Sequence, residues 1–160
     1  MCMKIIFSIE YNNLIPNGTT KITKDQSILF DPPVAIDSFS IYPYHWSFEL
    51  TTKKLTEKQY LLRFAMGSLC LLNYTSAKLT IPKSKRGRIY VSFSSPPCTD
   101  GIYYNEFSKF QKKKYYDTKN KTLAVGNISI SYGICVEFAS GQFAVIDKSG
   151  DLVAIYVRID

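Results

Sequence analysis

Acid–base chemistry near neutral pH draws on histidine before any other side chain, and this chain holds a single one, His45. A Ser-His-Asp or Cys-His arrangement must therefore run through His45, and a zinc site with several histidine ligands cannot be built. His45 stands beside Trp46 in an aromatic run, where a packed or half-exposed ring is the ordinary occupant. The 13 acidic residues are scattered, with no D-x-D or E-x-x-E to hold two metals or to pair an acid with a base. Asp147 and Asp151 flank Lys148-Ser149-Gly150, and turn formation accounts for both. Neither a phosphate-cradling G-x-x-x-x-G-K nor a dinucleotide-type G-x-G-x-x-G occurs. The expectation is a protein that is not an enzyme and carries no metal and no cofactor.

The four cysteines, Cys2, Cys70, Cys98 and Cys135, are widely spaced, with no C-x-x-C pair and no dense secreted-type framework. They read as reduced, mostly buried thiols that pack as small apolar groups. The apolar run at residues 5–9 is too short for a signal peptide and lacks a small-residue cleavage site. The longest apolar run, residues 60–74, is interrupted by Arg63 and falls short of the roughly 20 residues that cross a bilayer. A cytoplasmic location without membrane contact is expected.

With catalysis set aside, the surface is left to do the work. A net charge of +7 favours acidic proteins, nucleic acid or anionic lipid as partners, with salt-sensitive association. The chain is also rich in rings, with 12 tyrosines and 10 phenylalanines, residues that suit both half-buried sheet faces and contact surfaces. One basic stretch is Lys83, Lys85, Arg86 and Arg88; the other is Lys109, Lys112, Lys113, Lys114, Lys119 and Lys121, with Phe110, Tyr115 and Tyr116 interleaved. Cations beside rings suit single-stranded nucleic acid, because the cations neutralise phosphates while the rings stack on bases. Lys112, Lys113, Lys114, Tyr115 and Tyr116 are thus the candidate nucleic-acid site, although an ordinary solvated lysine-rich face has the same composition. For a protein partner, Tyr42, Tyr44, Trp46 and Tyr90 are candidate anchors, with Lys85 and Arg86 on the rim.

The elements that must hold these residues follow from periodicity. At 160 residues, with 46% hydrophobic and 21% charged side chains, the chain is one domain's worth, residues 1–160, able to build one core. Residues 3–9 predict a first strand, followed by Pro16-Asn17-Gly18 turn chemistry. Residues 38–50 alternate with period two on both sides of Tyr42-Pro43-Tyr44, predicting two short strands or one bulged strand. Thr56-Glu57-Lys58-Gln59 fits a capping box, and Leu61, Leu62, Ala65, Leu69 and Leu72 follow at spacings of three and four, predicting a buried central helix.

Residues 78–81 and 88–94 predict strands, with residues 82–87 as a basic hairpin tip. Tyr103, Phe107 and Phe110 suggest a second helix within residues 103–116, followed by a polar, mobile connection at 117–121. Residues 123–131, 133–138, 142–146 and 152–159 are four β-type runs with short Gly-containing breaks, predicting an antiparallel meander. The last run is apolar on both faces, which requires either a central place in the sheet or a cover. The fold class expected is α+β, mainly an antiparallel sheet with a C-terminal meander, one buried central helix and a possible second helix.

The stretch Ile134-Cys135-Val136-Glu137-Phe138-Ala139-Ser140-Gly141-Gln142-Phe143-Ala144-Val145-Ile146, with Gly150 and Tyr156-Val157-Arg158 after it, resembles the meanders of bacterial immunity proteins. Those proteins neutralise polymorphic or contact-dependent inhibition toxins. The resemblance lies in strand-turn-strand patterning and includes no diagnostic motif. It implies a small cytoplasmic protein without catalysis that binds one cognate toxin domain and blocks its active site or substrate surface. Many such proteins are acidic and cap basic nucleases, whereas the charge of +7 here calls for an acidic or neutral partner surface.

Overall fold

The computed structural model describes residues 5–22, 24, 26, 28–31, 34–36, 39–42, 45–49, 63–68, 73–93, 113–129 and 133–160. Every regular element among them is a strand: β1 (Ile5–Tyr11), β2 (Thr19–Ile22), β3 (Ile28–Asp31), β4 (Val34–Ile36), β5 (Phe39–Tyr42), β6 (His45–Glu49), β7 (Arg63–Ser68), β8 (Thr75–Ser76), β9 (Ser84–Phe93), β10 (Lys114–Asp117), β11 (Thr122–Gly126), β12 (Ile134–Ala139), β13 (Gln142–Ile146) and β14 (Leu152–Arg158). They form an eight-stranded sheet ordered β1-β9-β12-β13-β14-β11-β10-β8, a four-stranded sheet β4-β5-β6-β7 and the pair β2-β3. The large sheet is mixed, because β9 runs parallel to β12 and β8 parallel to β10.

The described residues are thus all-β, and the expected α+β class is corrected. Residues 63–68, placed in the central helix, form β7 antiparallel to β6, with Phe64 opposite Phe48 and Arg63 opposite Glu49. The physical reason is that a run apolar on nearly every side carries no period: a buried strand and a buried helix look alike until a pairing partner decides. Residues 56–62, with the capping box, lie outside the described residues. The second helix meets a similar end where it can be followed, since Lys114–Asp117 is a strand paired with β11; residues 103–112 lie outside the described residues.

Other differences come from pairing. Residues 78–81, expected as a strand, join no ladder. The basic stretch is no hairpin tip: β9 begins at Ser84 and runs parallel to β12 through Arg86, then antiparallel to β1. The connection 117–121 is an ordered turn. Buried Asp117 accepts the amides of Leu79 (2.8 Å), Lys119 (3.1 Å) and Asn120 (3.0 Å), and the Asn120 Nδ2 group as well (3.0 Å).

Three of the four C-terminal runs make the expected meander, β12-β13-β14, while β11 lies beyond β14 rather than beside β12. That is a Greek-key arrangement, and it places β14 between β13 and β11. Its two apolar faces then make sense, because each is covered. On one face Ala124, Cys135, Phe143, Val145, Ala154 and Tyr156 pack under Leu79 from the 77–81 segment. On the other, Leu123, Val136, Ala144, Ile155 and Val157 are fully enclosed.

Residues 12–22 form a strap along one end of the sheet. The Ser140 amide donates to the Pro16 carbonyl (2.9 Å), and the Thr20 and Asp160 backbones are joined by the Asp160 amide donating to the Thr20 carbonyl (2.9 Å). Thr20 N–H donates in turn to Asp160 Oδ2 (2.8 Å), and buried Gln142 donates from Nε2 to the buried Thr20 hydroxyl (3.1 Å). Gly141, at the β12–β13 tip with φ +72°, occupies the left-handed region that favours glycine in a two-residue hairpin turn.

Candidate partner-binding surface

The sheet corner formed by β1, β9 and β12 carries exposed cations, Lys85, Arg86 and Arg88, and an exposed ring, Tyr11. Alternation along β1 puts Phe7 and Ile9 on the face shared with Ile89 and Val136, and the same alternation brings Tyr11 to that face at the strand's end. Tyr11 lies opposite Gly87. A side chain at Gly87 has no room, since a Cβ there would stand 2.8 Å from the Glu10 carbonyl oxygen and 3.1 Å from Val136 Cγ2. Tyr11 therefore has no cross-strand side chain beside it, and the Lys85 ammonium lies 5.4 Å from its ring centroid. A cation over a ring at an exposed site contributes about 0.5–1 kcal/mol. Tyr11 is 54% exposed, and Leu14, three residues on, is 81% exposed. Between them the Asn12 side chain accepts the Leu14 amide (2.9 Å), a local turn that ends the strand.

Arg86 points to the opposite face from Lys85, because adjacent residues of a strand alternate. There its Nε lies 3.6 Å from Glu137 Oε2, while Glu137 Oε1 accepts the Gly141 amide (3.1 Å). Glu137 is thus held by the hairpin and in turn orients the mostly exposed Arg86, a pairing worth about 0–1 kcal/mol at such a surface.

The sequence-predicted anchors do not form one patch. Lys85 and Arg86 are split across two faces. Tyr90 is in β9 opposite Ser8. Tyr42 and Trp46 belong to the four-stranded sheet, paired with His45 and Ile41 on successive rungs. Tyr44 lies outside the described residues. Tyr11 and Leu14 were not among the expected anchors; continuing the alternation Phe7, Ile9 by one more step would have pointed to Tyr11, whereas nothing in the sequence marks Leu14.

Of the lysine and tyrosine stretch, Lys112 lies outside the described residues. Lys113 is exposed, with its ammonium 5.3 Å from the Tyr115 ring centroid. Lys114 and Tyr115 are half-buried, and Tyr115 packs against the core cluster. Tyr116 is buried, its ring edge-on to Tyr74 at 5.2 Å between centroids. Burial, then the neighbouring Tyr74 and Asp117, push the Tyr116 hydroxyl above its ordinary pKa. An open cleft of about 580 Å³ lies beside it, lined by Lys78, Tyr116, Asp117, Lys119 and Asn120 among others. Asp117 offers this cleft little chemistry: amide donors, that of Leu79 foremost, hold its carboxyl below the usual range and occupy its oxygens.

His45 opens β6, paired with Tyr42 and Ser68. Cys135 is free and buried, and burial, with the charge of Glu137 adding, pushes its thiol up to about 12. A thiol so shifted is not a nucleophile at neutral pH. Cys2, Cys70 and Cys98 lie outside the described residues. Among the described residues no three His, Cys, Asp or Glu side chains gather to hold a metal ion, and no helix is long and apolar enough to cross a membrane. No protein-family model, curated protein or solved structure matches this chain.

Proposed function

We propose that this chain is a non-catalytic protein-binding module of the immunity type, which sits in the cytoplasm and neutralises a cognate toxin domain by covering it. The observation that carries this reading is the corner where Tyr11 and Leu14 stand exposed with Lys85 over the tyrosine ring. A ring and an aliphatic side chain beside a cation are what a binding hot spot uses: area to desolvate and a charge to orient the partner. The surplus of positive charge would speed encounter with an acidic partner surface and make the rate fall with salt. The resemblance of the β12–β14 meander to immunity proteins supports the same class.

The test is co-purification of the tagged chain from its native host, in parallel with Tyr11→Ala and Lys85→Glu. A stoichiometric protein partner that is lost, or bound at least about tenfold more weakly, with either variant is the expected result. Recovery of no protein partner, or retention by both variants at wild-type level, overturns the reading. Nucleic acid as the partner draws support from exposed Lys113 beside Tyr115 and from Lys78 and Lys119 at the cleft. Stacking on Tyr116 is not open to it, because that ring is buried against Tyr74.

A further inference from the structure

We propose that the outer edge of β1 receives an extended acidic segment of the partner as an added strand, paired with the backbone of Ile9 and Tyr11. This rests on the reading of the chain as a protein-binding module and names how that module would bind.

The phase of the ladder is what places the free groups. One residue past the last β1–β9 pair, Tyr11 opposite Gly87, the Asn12 amide donates to the Arg86 carbonyl (3.1 Å). In an antiparallel ladder residues bond their partner strand in alternation, so Glu10 and Ser8 share the inward phase of Asn12. Phe7, Ile9 and Tyr11 then direct their N–H and C=O groups off the sheet. The Phe7 amide confirms the phase, because it donates to the Gly150 carbonyl (2.8 Å) in the turn between β13 and β14. That turn covers the edge at Phe7. Beyond it, at Ile9 and Tyr11, β1 is the last strand of the sheet among the described residues.

Edge strands are usually protected by a proline, a bulge or a lysine pointing inward. β1 contains no proline or lysine, its pairing with β9 is unbroken by a bulge, and its one charged residue, Glu10, lies opposite Arg88. The strand is therefore shaped to accept another. The short free stretch provides few main-chain bonds, so side chains must supply selectivity. The exposed Tyr11 ring, Leu14 and the Lys85 ammonium stand at that end.

Charge decides the occupant. Lys85, Arg86 and Arg88 are exposed on β9, the strand next to this edge; Glu137 offsets Arg86 and Glu10 lies opposite Arg88, so Lys85 and the chain's overall positive charge set the preference. A second copy of the chain would bring another net charge of +7 to the same place, whereas a strand with acidic side chains would be drawn in.

The test titrates fluorescein-labelled ten-residue peptides of alternating Thr and Glu, or alternating Thr and Lys, into the full chain at low ionic strength. A third peptide is the Thr–Glu sequence N-methylated at every residue, which has no N–H to donate to a ladder from either edge. Saturable binding of the Thr–Glu peptide is expected, weaker by about tenfold or more for the Thr–Lys and N-methylated peptides, the loss of about one hydrogen bond or more. Ile9→Pro, which removes one outward N–H at a position where an edge strand tolerates proline, should weaken the Thr–Glu peptide about as much, and Lys119→Glu should not. If Ile9→Pro does not fold, the N-methylated peptide still decides.

Absence of binding by the Thr–Glu peptide overturns the proposal. So does equal binding of the plain and N-methylated peptides, or a wild-type dimer that Ile9→Pro dissolves. The co-purification experiment is independent of these outcomes, so a toxin-like partner captured through Tyr11 without edge pairing would leave the protein-binding reading standing.

Discussion

Replacing Thr20 with valine isolates one buried hydrogen bond. Valine keeps the shape of threonine and the backbone bonds to Asp160, and removes only the hydroxyl that accepts Gln142 Nε2 at 3.1 Å. Thr20 is fully buried and Gln142 is 1% exposed, so water cannot replace the lost acceptor. An amide proton that loses its acceptor in such a place costs about 1–3 kcal/mol. With a urea slope of about 2 kcal/mol per molar, a loss of about 2 kcal/mol moves the unfolding midpoint down by about 1 M. In a chain of this size it lowers Tm by about 4–8 °C. Urea titration of Thr20→Val, Gln142→Met and the double variant closes a cycle, in which the two changes together should cost at least about 1 kcal/mol less than their sum. A Thr20→Val protein within about 0.3 kcal/mol of wild type, or an additive cycle, refutes the claim that this contact holds the strap to the sheet.

The remaining predictions concern the sheet and its corner. Gly87→Ala, whose new methyl would press on the Glu10 carbonyl and Val136, should lower stability by about 1–3 kcal/mol in the same titration. Tyr11→Ala, at an exposed position, should change stability by less than about 1 kcal/mol while abolishing partner capture; a large loss of stability would make the ring structural. The peptide containing Cys135 should resist maleimide labelling at about pH 8 in the folded chain and react once urea unfolds it, as mass mapping would show. The Asp117 carboxyl is held low in the fold, so its stabilising effect is present above the unfolded pKa of about 3.9 and is lost as pH falls through the folded value. Urea midpoints measured below about pH 4 should therefore fall less steeply in Asp117→Asn than in wild type, and equal slopes would count against it.

Strands bounded by strong turn signals were legible in the sequence. β1, β5, β6 and the β12–β14 meander were expected from period-two alternation and from Pro, Asn and Gly breaks. What the sequence withheld was pairing. Nothing local shows that β11 returns to the far side of β14, that β9 extends back through Lys85 to meet β12, or that residues 63–68 find β6 as a neighbour. The same gap governs the surface. Lys85 and Arg86 are adjacent in the chain and seem a single patch until strand alternation sends them to opposite faces. Asp117 sits in a polar stretch whose composition suggests mobility, and only the folded turn shows four donors converging on one carboxylate.

The position of β14 has a consequence for how the molecule must assemble. It comes after β11 and β13 in the chain yet lies between them, so during synthesis both wait with one ladder open until it arrives. A nascent chain halted before Leu152 would hold two unsatisfied strands rich in Val, Leu and Phe, the kind of intermediate that recruits chaperones or pairs with its neighbours. Yield in a heterologous host should therefore depend on how quickly residues 152–158 are delivered, independently of how stable the finished sheet is.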